Sequence, residues 1–545
     1  MKTKCHGQLF ISIITPIHKG GDKGLPENYR PVALTSHIIK VFEKLVKEDI
    51  LTHLQDHSLL NETQHGFRPG RATISQLLNF HHSIINKLHT SARVEAIYLD
   101  FSKAFDKVNH DILRQKLEKH NITGKLLAWI MTFLTNRKQA VKVDGQLSEF
   151  VWVTSGVPQG SVLGPLLFTI MMYDITNSVT IAELGSFADD TRAWSSISWS
   201  SPEADAAQFQ KDLNEIYSWA EKNGAPFNEK KFVHLSFGKN DIKMTFTNSS
   251  GKVIETAANT RDLGVTLSDT AEFKDQITKV VTQGRQLSGW ARHIFLSSST
   301  PVMLTLLKSL IVPKLEYCCP LWAPVDSKHI NLLESIQEKF TRYFQEFRVY
   351  DKELGMYVCE VSYWERLQIL KIYSLHRRRD RYLILYLFKI LNGLVPNPGN
   401  VDLFTYSDRK KITAIRPKLP RNIPSWVKTL HENSFFTQAA LLFNSLPEHL
   451  RELQDVAPAK NMVDSYKKKL DAFLSLIPDQ PGISTTVKSN SLIHQIPHYN
   501  RNKWKQPLAL TSGKPRSNRK VPNTSGSAPK ALDDHRIWNP VRWNP

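Results

Sequence analysis

Two carboxylates stand side by side in the stretch LGSFADDTRAW, Asp189 and Asp190, inside a run of small and apolar residues. Adjacent like charges repel, and each is costly to desolvate unless a cation neutralises it. A third carboxylate, Asp100, ends the apolar run that opens YLDFSKAFDKVNH, and the Gly/Pro turn SGVPQGS lies between them in sequence. Carboxylates in such a set can hold two divalent ions about 3.5–4 Å apart, one activating an attacking oxygen and the other stabilising a leaving pyrophosphate. Oxygen ligands favour Mg²⁺, with Mn²⁺ as a substitute. A lone Asp-Asp pair reads as a solvated turn; its combination with Asp100 and the turn points to chemistry.

The elements that must position these groups follow from hydrophobic period and turn signals. A strand around Ile97 and Leu99 places Asp100 at its C-terminal end, and the segment Leu184 to Trp194 fits a hairpin with Asp189 and Asp190 at its tip. RKQAVKVDGQLSEFVWV reads as two strands about an Asp144-Gly145 turn. Upstream, ISIITPI is a strand, and HKGGDKGLPENYRPVALTS is a loop returning to a short strand. The helix HIIKVFEKLVKEDILTHLQDH comes next, with Ile39, Phe42, Leu45, Val46, Ile50 and Leu54 on one stripe. A helix at DLNEIYSWAEKNG and strands at FVHLSFG and KMTFTN complete an α+β segment ending near residue 265. Thr300 and Pro301 read as N-cap and N1 of a helix, and helical patterns dominate to about residue 475. From Pro481 onward Ser, Asn, Pro, Lys and Arg prevail, a composition that cannot bury a core.

Length and composition bound the rest. A chain of 545 residues argues for several domains, and 41% hydrophobic with 22% charged residues is a folded composition. A net charge of +20 suits a polyanionic partner such as nucleic acid. Four irregularly spaced cysteines exclude a disulfide framework or zinc spacing, so the compartment reads as reducing. The longest apolar run is far short of the roughly 20 residues that span a bilayer, and the N-terminus lacks a signal-peptide pattern. The expectation is an intracellular protein of the nucleus or cytoplasm, neither secreted nor membrane-bound.

At this point the sequence resembles the reverse transcriptases of non-LTR, LINE-type retrotransposons of the jockey-like sort. TPIHKGGDKGLPENYRPVALTS, QHGFRPGRAT, YLDFSKAFDKVNH, SGVPQGSVLGPLLF, FADDT, FNEKKF and RDLGVTL occur in the family's order. The likeness continues through LEYCCPLW, ESIQEKFTRYF and ERLQILKIYSLHRRRDRYLILYLFKILNG, covering most of residues 10–480. It implies an α+β right-hand polymerase: fingers over 1–95, palm with interleaved fingers elements over 96–265, and thumb over 266–345. A helical region over 346–480 and a disordered basic tail over 481–545 would complete the chain. The implied activity is RNA-directed DNA polymerisation by two-metal transfer, with an RNA template, a DNA primer or nicked target DNA, and dNTPs as partners.

The resemblance also implies residue roles. Asp100 and Asp189 are the main metal ligands and Asp190 supports them; Phe187 stands where a tyrosine is common. Phe105, five positions after Asp100, lies beneath the incoming sugar and clashes with a ribose 2′-OH, its alternative being an ordinary core ring. Lys19 and Arg30 hold the triphosphate, and Gln159 packs near the nucleotide. Gly156 and Gly160 give close backbone approach, or are simply turn glycines. Lys231 resembles the general acid for pyrophosphate, with Lys230 beside it. Arg68 and Arg71 are placed on template phosphates. Arg377, Arg378, Arg379 and Arg381, with Tyr382, read either as a backbone-tracking groove or as a solvated helix face.

Members of the family carry an endonuclease ahead of the polymerase, whereas about ten residues precede the first motif here. The expectation is polymerase chemistry on a supplied primer-template without nuclease activity. The alternative is a catalytically inactive nucleic-acid-binding fragment or accessory protein of a retroelement.

Overall fold

The computed structural model describes residues 11–501, apart from 240, 296, 398–403, 407–414, 418–422, 452–460 and 482–488. Residues 1–498 form one unit and residues 499–545 a second, of which the end of the helix Leu492–Arg501 is described. The class is α+β, with most of the strands in the first half and helices dominating the second.

Alternating apolar residues form β1 (Ile11–His18), which pairs antiparallel with β2 (Tyr29–Leu34) across the glycine-rich loop. The helix α1 (His37–Asp56) comes next, and its buried face differs from the expected stripe. Ile39, Ile50 and Leu54 are buried, but Phe42 is 53% and Leu45 56% exposed, while Glu43 is fully buried. The cause is polar: the Glu43 carboxylate accepts from the backbone N–H groups of Val162 and Leu163 at 2.7 and 2.8 Å, and the helix is rolled to deliver it.

The residues expected to form the fingers do not all sit together. The helix α2 (Thr73–Thr90) packs against the central sheet, through Phe80, Ile84, Ile85 and Leu88. That sheet begins with β3 (Arg93–Leu99), which is buried on both faces. Val94 and Ala96 face α2, whereas Ile97 and Leu99 face the opposite side. There they meet α3 (His110–Lys119) and α4 (Gly124–Thr135) through Leu113, Leu117, Ile130 and Leu134. Each such large apolar side chain contributes about 1.5–3 kcal/mol on burial.

β4 (Lys138–Val143) leaves this layer and pairs parallel with β1. It turns back at Asp144 and Gly145, φ 49° and 85°, as a tight hairpin between twisted strands requires. β5 (Gln146–Leu147) and β6 (Val151–Trp152) both pair with β4. The helix α5 (Gly164–Met171) is buried almost throughout, as its apolar run requires. β7 (Glu183–Phe187) and β8 (Asp190–Ile197) form the expected hairpin, α6 (Pro202–Lys222) covers the sheet, and β9 (Val233–Phe237) completes the strand order β7-β8-β3-β9. KMTFTN is not a strand: only Thr247 makes a single bridge, to Val253.

Asp212 on α6 secures the entry to β7. It is 1% exposed, and its carboxylate accepts from the N–H groups of Thr180, Ile181 and Ala182 at 3.1, 2.9 and 2.8 Å and from the Thr180 hydroxyl at 2.7 Å. Burial alone would raise its pKa, but these donors outweigh burial and hold it below the usual 3.8. A depressed folded-state pKa stabilises above the unfolded value and loses that stabilisation as pH falls toward the folded one. Asp212→Asn is therefore expected to lower stability by about 1–3 kcal/mol at pH 7. The difference from wild type should shrink as pH drops below about 4, measured by urea unfolding across pH.

Beyond the sheet, β10 (Asn259–Asp262) and β11 (Val265–Ser268) form a short hairpin leading into α7 (Lys274–Ile294). Thr300 opens the next helix as its first residue, with Ser299 in the capping position, one place earlier than expected. Helices Ser327–Thr341 and Leu375–Leu391 form the core of the second half of the chain.

The arginine-rich helix Leu375–Leu391 overturns one expectation. Arg377, Arg379 and Arg381 are 0%, 1% and 5% exposed, so they neither line a groove nor form a solvated face. Arg377 donates to the carbonyls of Ile477 and Pro478, both at 3.1 Å, and to the Gln495 side chain. Arg378 pairs with Glu316, and Arg381 pairs with Asp471 at 2.5 and 2.6 Å. Arg377 and Arg381 are turned inward by the chain after residue 470, which folds back over this helix, and Arg378 by Glu316.

The same contacts move the tail boundary. Residues 489–501, expected to be disordered, include the helix Leu492–Arg501, with Leu492 and Ile496 fully buried at helical spacing and Leu492 N–H donating to Asp380 at 2.9 Å. The expected disorder after 501 lies outside the described residues, as does Cys5. Among the described residues no helix is long and apolar enough to cross a membrane.

Candidate active site

Register brings the carboxylates together. β3 and β8 pair antiparallel with Leu99 opposite Thr191, so the next residue on one strand and the previous one on the other, Asp100 and Asp190, are neighbours at the sheet's edge. Opposed residues in such ladders have Cα atoms about 4.5–5.5 Å apart. Phe187 pairs with Asp190, leaving Ala188 and Asp189 as the two turn residues. Asp100, Asp189 and Asp190 therefore meet although about ninety residues separate the first from the others.

Their electrostatics are those of a crowded anionic site. Burial raises the Asp189 pKa, and Asp100 adds to the shift; Arg30 and Lys19 oppose it. The Asp190 carboxyl is pushed up to about 6, first by desolvation, then by Asp189 and Asp100. Lys231 lies in a single helical turn after α6, and its Nζ is 3.1 Å from Asp100 Oδ2. Of the two adjacent lysines, Lys231 is the one that turns toward Asp100.

Lys19 directly succeeds β1 and donates its backbone N–H to the Asn28 carbonyl at 2.8 Å; Arg30 stands on β2 opposite Ile17. Both are exposed, and neither forms a salt bridge among the described residues. The charge of each opposes the rise in the Asp189 pKa.

Phe105 is half-buried, stacked on Phe168 at 4.5 Å with 13° between planes, and met edge-on by Phe67 at 5.9 Å. A ring held on two sides is a rigid floor. Gln159 donates from Nε2 to Asp106 Oδ1 at 3.0 Å, and its carbonyl accepts from Ala33 N–H at 2.6 Å, so the turn is tied to both the β3 loop and β2. Gly160 has φ +117°, and a Cβ there would lie 2.6 Å from the Ala33 carbonyl oxygen, which excludes any side chain.

Arg68 and Arg71 are not aimed at a template. Their side chains are 10% and 8% exposed and both turn onto Glu62, Arg68 at 3.0 Å. The acidic residue six positions before Arg68 neutralises them locally, and each also donates to a backbone carbonyl, of Asn61 and Glu62 respectively.

Sequence reasoning passed over three supporting groups. Glu43 fixes the turn before α5; a charged residue on the stripe between Ile39 and Ile50 was its signal. Asp106 anchors Gln159. Arg192, two places beyond Asp190, is buried against Asp262 of the β10–β11 hairpin and lies 4.4 Å from the Phe80 ring centre. Nothing local in TRAW marks it as buried.

Among the described residues no three His, Cys, Asp or Glu side chains are closed around a common point as a preformed ion site. The donor set fits a divalent cation even so. Asp100, Asp189 and Asp190 bring oxygen ligands of like charge to one sheet edge, where Asp100 raises the pKa of both its neighbours.

Residues 17–267 match the family described as Reverse transcriptase (RNA-dependent DNA polymerase), which is generally divalent-metal dependent. The chain is 29% identical over 344 residues to a probable RNA-directed DNA polymerase from transposon X-element of Drosophila melanogaster, covering 61% of this chain and 37% of the relative. It is 27% identical over 342 residues to the RNA-directed DNA polymerase from mobile element jockey of the same organism, covering 60% and 37%. The chain thus spans little more than a third of these relatives' length. Among solved structures, apo telomerase from Candida tropicalis aligns with a TM-score of 0.38 at 13% identity, over 64% of this chain and 58% of that one. With the family match spanning the sheet, the carboxylate hairpin and the turn, residues 17–267 are a reverse transcriptase domain, similar to those of jockey-type non-LTR retrotransposons.

Proposed function

We propose that the chain is an RNA-directed DNA polymerase that adds dNTPs to a primer 3′-OH on an RNA template. The observation that carries this is the meeting of Asp100 with the Asp189–Asp190 turn at one sheet edge, flanked by the cations Lys19 and Arg30. Asp100 and Asp189, supported by Asp190, would hold two Mg²⁺ ions, or Mn²⁺, which when bound lower the cost of developing charge on the attacking and leaving oxygens.

The chain's own residues do the rest. Arg30 and Lys19 bind the triphosphate oxygens and orient the α-phosphate for in-line attack. Lys231, held beside Asp100, is placed to give a proton to the departing pyrophosphate. Gln159 and Gly160 supply the surface against which the nucleotide rests. Phe105, braced by Phe168 and Phe67, blocks a 2′-OH. Base pairing selects the nucleotide, while the protein supplies geometry and charge. In this reading the palm is the β7-β8-β3-β9 sheet with its helices, including α2; the fingers are the β2-β1-β4 sheet, and the thumb begins at α7.

The test is extension of a DNA primer annealed to an RNA template with Mg²⁺, with dNTPs and rNTPs in separate reactions. Wild type should extend with dNTPs and discriminate against rNTPs, and Phe105→Ala should relax that discrimination by about 10- to 200-fold, the range that filling or opening one pocket position provides. Binding of the duplex without any extension would instead support an accessory nucleic-acid-binding role.

A further inference from the structure

The turn that carries Asp189 is strained. Ala188 has φ +58°, and Asp189 does not share the positive φ. A positive φ at the first of two hairpin residues is the type II′ pattern, a glycine position. An alanine persists in such a conformation when its surroundings over-determine it.

Here the surroundings come from Gln64. Its Oε1 accepts from Ala188 N–H at 2.8 Å and from Gly66 N–H at 2.7 Å, and its Nε2 donates to the Ala188 carbonyl at 3.0 Å. Gln64 is 3% exposed, so these bonds are shielded from water. The flanking backbone runs beside β7: His65 N–H donates to the Ser186 carbonyl at 2.8 Å, and Ser186 N–H donates to the Thr63 carbonyl at 3.0 Å. A Cβ at residue 66 would lie 2.2 Å from Ala188 N, so only glycine lets the two segments close. Both backbone polar groups of the strained residue are held by one planar amide.

We propose that Gln64 is a positioning residue for Asp189: its side chain holds the Ala188–Asp189 turn in the conformation that aims the carboxylate at the reacting centre. The proposal rests on the polymerase reading. Only an amide satisfies all three contacts. Leucine offers none, and glutamate keeps the two acceptor contacts but cannot donate to the Ala188 carbonyl when ionised.

The experiment is single-nucleotide incorporation in rapid-quench mode on a primed RNA template, with primer–template affinity by fluorescence anisotropy and thermal melting of each variant. Gln64→Leu should lower the incorporation rate by about 10²-fold, the cost of about 1 Å of misplacement. The dNTP concentration for half-maximal rate and duplex affinity should stay close to wild type, while the melting temperature should fall because three buried backbone groups lose their partner. Gln64→Glu should fall between the two, and it carries the same comparison if the leucine variant does not fold. Ala188→Gly placed in the Gln64→Leu background should regain about tenfold, since glycine adopts the positive φ without the alanine penalty.

A Gln64→Leu rate close to wild type overturns the proposal. So does a rate loss that tracks lost duplex affinity, or one that Ala188→Gly does not rescue. An inactive wild type would overturn the polymerase reading itself, a distinct result.

Discussion

Replacing Asp189 by alanine is expected to reduce nucleotide addition by about 10³-fold or more, the upper range for removing one preorganised electrostatic contact at a reacting centre. The residue occupies the second position of a two-residue turn, so its carboxylate projects beyond the ends of β7 and β8. Asp100 approaches from β3, and Arg30 and Lys19 approach from the other sheet. No neighbouring carboxylate can take its place without moving a strand. Because the substitution lies in a turn and removes a charge that burial disfavours, fold and duplex binding should survive it. Rapid-quench incorporation and anisotropy on the same primer–template measure both. A variant that polymerises near the wild-type rate would place the chemistry elsewhere.

The largest effect on stability is expected at Arg377. Arg377→Ala should destabilise the protein by about 3–5 kcal/mol, the cost of breaking a buried ionic network by deleting one partner. The side chain is fully buried, and its donors go to the carbonyls of Ile477 and Pro478 and to Gln495, with Asp479 nearby. Removing it leaves those acceptors dry and unpaired. Urea unfolding should show the loss. The slope of log affinity against log salt for a primed template should not change, whereas deletion of a phosphate-binding arginine lowers that slope by about one with little effect on folding. The paired measurements separate a core arginine from a nucleic-acid contact, which the string HRRRDRY does not.

That contrast shows where sequence reading succeeded and where it stopped. Asp100, Asp189 and Asp190 were legible because carboxylates in apolar surroundings are rare and their strand and hairpin context is set by local period and turn residues. The β4–β5 turn was legible for the same reason, since Asp144 and Gly145 tolerate the φ values it needs. Arg68, Arg71 and the arginines of the helix Leu375–Leu391 misled, because a cation's partner is chosen by tertiary contact. Glu62 captures the first two, the segment after residue 470 takes Arg377 and Arg381, and Glu316 takes Arg378. The stripe on α1 misled in the complementary way: hydrophobic period marks a helix, but the polar demand of the turn before α5 decided that Glu43 faces inward.

From the order of residues alone came the α+β class, the strand carrying Asp100, the hairpin carrying Asp189 and Asp190, and the family likeness. Each depends on interactions within a few positions along the chain. Folding in three dimensions decided that α2 supports the sheet, that Lys231 rather than Lys230 reaches Asp100, and that residues 489–498 cover the arginine-rich helix. It also decided that Gln64 grips Ala188 across more than a hundred residues. Those outcomes rest on burial and on satisfying polar groups at long range, and no local pattern encodes which distant partner will arrive.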